Sequence, residues 1–162
     1  MTDILSLDIE TSNYSWEIGG WGNLSLFEPS VIATWDGENA TIFSKEDTIE
    51  VEGATLHPLH PEILGDFLSA HIEKGGKILG HNIIKFDLPV IRDSLDCWAA
   101  GDVLGKSDSI IDTKVLFAKA SLSYGKLLTS LGDLAKHNLN TDKLMASEDA
   151  PLAWRAGKFN EV

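Results

Sequence analysis

The stretch Leu5-Ser6-Leu7-Asp8-Ile9-Glu10-Thr11 threads two carboxylates, Asp8 and Glu10, through three apolar residues. Alternate side chains of an extended strand share a face, so Leu5, Leu7 and Ile9 point one way and Ser6, Asp8 and Glu10 the other. Positions two apart on a strand are separated by about 6–7 Å. Carboxylates at that spacing can converge on one hard divalent cation, or share a pair of cations about 3.5–4 Å apart. The same alternation also describes a half-exposed strand with a wet outer face. A third carboxylate arriving from a distant segment would favour the metal.

Asp87, in the segment GHNIIKFDLPVI (80–91), is the candidate. It stands where an apolar strand passes into a helix, with Pro89 in the first turn. Two roles are open to it there: helix N-cap, or third ligand. Asn82 suits a residue that holds its own turn. His81 lacks the C-x-x-C or H-x-x-x-H companions of a zinc site.

Several elements must position these acids. Residues 4–11 alternate with period two and read as a strand. Residues 12–30 are rich in Gly, Ser and Asn and read as a loop. VIATWD (31–36) and ATIFS (40–44) flank the turn signal Gly37-Glu38-Asn39 and predict a hairpin. Residues 45–60 read as irregular. From Pro61 the spacing of Ile63, Leu64, Phe67, Leu68 and Ile72 predicts a helix that Gly75-Gly76 stops. KILGHN (77–82) reads as a buried strand, DLPVIRDSL (87–95) as a helix, SIIDT (109–113) as a third short strand and 114–121 as a helix. Leu127, Leu128, Leu131 and Leu134 predict a further helix over 126–137, and the final stretch, from a capping-type Ser147, reads as helical in pieces. A hairpin followed by helix-separated strands implies an α/β fold: a mixed sheet with helices on both faces. The first strand is then central and its polar face covered. Two ionised carboxylates there would be costly without a cation.

Asp8-x-Glu10-Thr11 on the first strand, together with Asn82-x-x-x-Phe86-Asp87 opening a helix, resembles the DEDD superfamily of 3′–5′ exonucleases, the proofreading group with a ribonuclease H-like fold. The resemblance extends over nearly the whole chain, including IIDTKVLF (110–117) and SLGDLAKHNL (130–139). It implies that Asp8, Glu10 and Asp87 are catalytic and hold two Mg²⁺ or Mn²⁺ ions around the terminal phosphodiester of a single-stranded DNA or RNA 3′ end. One metal would lower the pKa of an attacking water and the other would stabilise the leaving 3′ oxygen. Thr11, Asn82 and Phe86 would serve the substrate, Asn82 also by holding its loop and Phe86 by packing under the metal site.

Members of this superfamily carry a fourth acid preceded on its helix by Tyr (Tyr-x-x-x-Asp) or His (His-x-x-x-x-Asp). The one literal match is His137 to Asp142, through Asn138, Asn140 and Thr141, which are poor helix residues. Tyr14 and Tyr124 are followed four residues on by Ile18 and Leu128. In tyrosine-type relatives, a stretch like APLAWRAGKFNEV (150–162) leads into the motif helix. The expectation is one exonuclease-like domain over 1–162, of the tyrosine subtype and lacking that last helix, which would bind metal less tightly. The alternative is a non-catalytic nucleic-acid-binding or interaction module that retains the fold. Another ribonuclease H-like nuclease, of the resolvase or transposase kind, fits less well because it does not require Asn-x-x-x-Phe-Asp.

The remaining features bound the possibilities. With 25 Asp and Glu against 13 Lys and Arg, the net charge is −12, which argues against a broad salt-driven grip on duplex. Bound cations can reverse that sign locally. No apolar run suits a membrane span and the N-terminus lacks a basic signal region. The single cysteine, Cys97, excludes an intrachain disulfide and favours a reducing, cytoplasmic setting. Trp16 and Trp21 read as closing the edge of the core, with base stacking the rival role. Trp35, Trp98 and Trp154 read as structural. Asp112, at a strand end before a helix, reads as a cap, with a place near the metal site the rival role, and Lys85 reads as a solvated lysine that could meet a phosphate.

Overall fold

The alternation of residues 4–11 is realised as β1 (Ile4–Thr11) in a computed structural model, which describes residues 3–49, 51–121, 130–141, 146 and 148–162. Leu5, Leu7 and Ile9 are buried. Beside β1 runs the hairpin of β2 (Pro29–Trp35) and β3 (Ala40–Ser44), antiparallel to each other, with β2 antiparallel to β1. Asp36 closes the turn by accepting backbone N–H bonds from Glu38 and Asn39. On the other side of β1 lie β5 (Lys77–Gly80) and β6 (Ile110–Asp112), both parallel additions.

A sixth strand occupies the segment expected to be irregular. β4 (Ala54–Pro58) pairs in parallel with β3. Residues 54–58 carry a Pro and a His and are only partly buried, as an edge position permits, so their sequence lacks the apolar alternation of an inner strand. The sheet order is β4-β3-β2-β1-β5-β6, which places β1 inside the sheet as expected.

Helices α1 (Pro61–Glu73), α2 (Asp87–Leu95) and α3 (Trp98–Gly105) pack with the apolar side of β1 into one core that includes Leu64, Leu68, Ile72, Leu88, Ile91, Ala100 and Val103. His60 caps α1 by accepting the Glu62 N–H, and Gly75, at φ +80°, ends it. Leu64 and Leu68 are wholly buried, and truncating either to Ala costs about 2–5 kcal/mol. α3 was not expected from the sequence: its eight residues, Trp-Ala-Ala-Gly-Asp-Val-Leu-Gly, carry two glycines and too short an apolar stripe. α4 (Thr113–Ser121), α5 (Leu131–Leu139) and α6 (Asp149–Arg155) complete the helices of the described residues. Positions 126–129 of the expected helix, with Tyr124, Asp142 and Ser147, lie outside the described residues.

The second face of the sheet is covered only in part: Val31, paired with Glu10, is buried there. Asp8, its partner Ala33 on β2, and Trp35 are exposed, and Ser6 is only half-buried. The polar side of β1 is therefore wet at Asp8, although the strand is interior. Among the described residues, no helix is long and apolar enough to cross a membrane.

Candidate functional site

β1 and β5 stay paired only from Ile4 to Ser6, opposite Lys77 to Leu79. Beyond that point the chain leaves β5 and turns into α2, so the edge of β1 facing β5 loses its strand partner. Asp87 fills the vacancy: its carboxylate accepts the Ile9 N–H at 3.3 Å, a contact spanning 78 residues. The third expected acid thus sits against the backbone between Asp8 and Glu10. Asp87 is 3 % exposed. Burial pushes its carboxyl up to about 7, helped next by the negative charge of Asp8 and, least, by that of Asp112.

Capping does not account for Asp87. The N-cap position of α2 belongs to Phe86, whose side chain makes no cap hydrogen bond, and Asp87 is the first helical residue, reaching back to β1 instead. Its negative charge at the α2 N-terminus is still favourable to the helix dipole.

The turn that delivers Asp87 is built by another acid. Asp112 ends β6 and is 4 % exposed. Its Oδ1 accepts the N–H of Asn82 at 3.0 Å, of Lys114 at 3.0 Å and of Val115 at 3.4 Å, while Oδ2 accepts the Ile84 N–H at 3.2 Å. Two of these bonds cap α4, as its sequence position suggested. The other two clamp the 80–86 turn, a role that needed the β5–β6 pairing to become visible. Asn82 adopts φ +66°, a left-handed conformation that Asn tolerates better than most residues. Its carbonyl accepts the N–H groups of Lys85 and Phe86. Asn82 therefore holds the loop, one of the two roles considered for it. Gly80 is needed because a Cβ there would lie 2.7 Å from the buried Ile83 side chain. His81 is tied to the same turn through the Thr113 hydroxyl, 2.9 Å from its Nδ1.

Phe86 packs edge-on against Phe27 and Trp21, with ring centroids 5.1 and 5.4 Å away. Thr11 donates its hydroxyl to the Asn13 carbonyl at 2.9 Å and so shapes the start of the following loop. That loop is knitted tightly. Asn13 donates to the Leu26 carbonyl and accepts the Glu28 N–H, and Tyr14 N–H donates to Glu17. Arg155 of α6 donates to the Ser12 carbonyl and grips Glu17 through two bonds of 2.9 and 2.6 Å. An open groove of about 490 Å³ lies between this loop and α6, lined by Ser12, Asn13, Glu17, Glu28, Trp154 and Arg155 among others.

The tryptophans depart from expectation. Trp16 is 73 % exposed and Trp21 67 %, so neither seals the core edge. Trp98 and Trp35 are exposed as well, whereas Trp154 packs on Phe159. His137 lies in the last turn of α5, which ends at Leu139 before a left-handed Asn140.

Carboxylate oxygens are the donors a hard cation takes, and Asp87 is held against the strand between Asp8 and Glu10, where the charge of Asp8 disfavours its ionised form. As the side chains stand, no group of three or more His, Cys, Asp or Glu among the described residues converges on one metal position. Compared with known proteins, the chain matches no family model and no curated protein.

Proposed function

We propose that the chain is a metal-dependent 3′–5′ exonuclease domain of the DEDD kind, acting on single-stranded DNA or RNA 3′ ends. The observation that carries this reading is the seating of Asp87 on the Ile9 N–H. A buried carboxylate beside a second one is an expensive arrangement, and cation binding is the function that uses it. Asp8, Glu10 and Asp87 would hold two Mg²⁺ or Mn²⁺ ions. Bound there, the ions supply an acidified water and charge neutralisation at the phosphodiester.

The residues do the rest by position. Asp87 must lose its proton to act as a ligand, and with its carboxyl near 7 that loss falls close to neutral pH. Asp112 fixes the turn that carries Asp87, so the ligand is held by backbone and not by a flexible side chain alone. Thr11 and the backbone after it lie where the strand ends and the ordered loop begins.

The test is trimming of a 3′-labelled oligonucleotide with Mn²⁺ or Mg²⁺. Wild type should release the 3′ label as a mononucleotide in the first cleavage and Asp8→Ala should abolish this. Activity that survives Asp8→Ala would sink the assignment.

A second reading, a non-catalytic nucleic-acid-binding or interaction module, is favoured by one observation: the described acids do not converge in threes on a single point. It predicts oligonucleotide binding without trimming in any divalent metal.

A further inference from the structure

Trp16 and Trp21 lie on a loop whose conformation is fixed from several sides. Asn13, Glu17 and Arg155 bind it as described, Asn23 donates to the Ile18 carbonyl at 2.7 Å, and Gly19 and Gly20 take positive φ to make the bend. Large aromatics on a loop this well ordered would be expected to turn inward, yet both are more than two-thirds exposed. Each is nonetheless held. Trp16 stacks on Tyr14 at 5.3 Å with the rings 16° from parallel, and the Arg155 guanidinium lies 5.5 Å from the Tyr14 ring centre. Trp21 is braced by Phe27 at 5.7 Å and by Phe86 at 5.4 Å. Phe86 immediately precedes Asp87. The exposed Lys85 precedes Phe86.

We infer that Trp16 and Trp21 form a stacking platform for the bases of a single strand entering the Asp87 site. This rests on the proposed reading of that site and adds to it the means of binding. A rigid, braced indole loses little freedom when a base stacks on it, and stacking needs no particular base. The chain has a net charge of −12 and cannot rely on a basic surface, so ring contacts must carry much of the affinity. Lys85, on the same turn as Phe86, offers a local cation for a backbone phosphate. Single strand is the occupant chosen because a duplex keeps its base faces covered.

The experiment is fluorescence anisotropy of a short labelled oligothymidine with the whole chain, in EDTA so that no metal-dependent cleavage intervenes. A second probe has the same length and phosphates but abasic sugars. Wild type should bind oligothymidine and bind the abasic probe at least tenfold more weakly. Trp21→Ala and Trp16→Ala should each lose roughly tenfold in affinity for oligothymidine, Trp21→Phe and Trp16→Phe should recover most of it, and Trp98→Ala, an equally exposed indole on α3, should bind as wild type. Unchanged binding by both alanine variants, equal binding of the two probes, or no binding by wild type overturns the platform. Thermal melting of each variant separates lost binding from lost fold. The nuclease reading is judged separately by the Asp8→Ala trimming assay, which can succeed while the platform fails.

Discussion

Two aspartates are buried to almost the same degree, Asp87 at 3 % exposure and Asp112 at 4 %, yet they are used in opposite ways. Asp112 accepts four backbone N–H bonds from two segments, the 80–86 turn and the start of α4. Asp87 accepts one bond from across the fold, from Ile9, and faces the charge of Asp8. A carboxylate surrounded by N–H donors is a structural acceptor whose oxygens are already occupied. Around Asp87, burial and the like charge of Asp8 outweigh the backbone donors, so its ionised form is disfavoured. Burial alone does not tell the two aspartates apart; the donors and charges around each do.

The largest way to break this contrast is Asp112→Ala. Four N–H groups would lose their acceptor at once, and the expected loss of stability is about 4–5 kcal/mol by urea unfolding, at the high end for one substitution. A loss below about 1 kcal/mol would mean that water replaces the carboxylate there, and Asp112 would not be a clamp.

Asp87→Asn probes the other member. Its folded-state pKa is raised from 3.8 to about 7, so between those values the folded chain holds a proton that the unfolded chain has released. Stability therefore falls as pH rises from about 4 to about 7 and levels off above, with an upper bound of roughly 4 kcal/mol. Asp87→Asn should flatten that slope in unfolding measured from pH 4.5 to 8, values chosen to span roughly the titration. Mn²⁺ at pH 8 should raise the melting temperature of wild type and leave Asp87→Asn unmoved. An unaltered pH slope in the variant would show that Asp87 ionises freely.

Asn82, whose N–H goes to Asp112 and whose turn carries Asp87, links the two and gives the smallest effect. Asn82→Ala should cost about 1–2 kcal/mol because an Ala at φ +66° is strained. Asn82→Gly should cost less, since glycine enters that region freely. Equal losses in both would place the role of Asn82 in its side chain instead of its backbone angle.

Much of the frame was legible in the residues. The alternation of Leu5, Leu7 and Ile9 marked β1 to the residue, the stripe from Ile63 to Ile72 marked α1, and Gly75 its end. Strand β4 and helix α3 were not legible. An edge strand needs no apolar alternation, and a short helix rich in small residues leaves little periodic signal. The exposure of Trp16 and Trp21 was missed because residue type predicts average burial, while the loop's hydrogen bonds dictate which way an indole can turn.

By itself the sequence determined which residues could bear chemistry and the alternation that put Asp8 and Glu10 on one side of a strand, because those depend on local backbone periodicity. Only the tertiary structure decided that Asp87 is the buried acid and Asp8 the wet one, that Asp87 binds β1 instead of capping its helix, and that Asp112 clamps the turn between them. Those outcomes follow from β5 parting from β1 after Ser6. Where one strand stops beside another is a long-range pairing, and it leaves an N–H that no neighbouring residue in the chain is placed to satisfy.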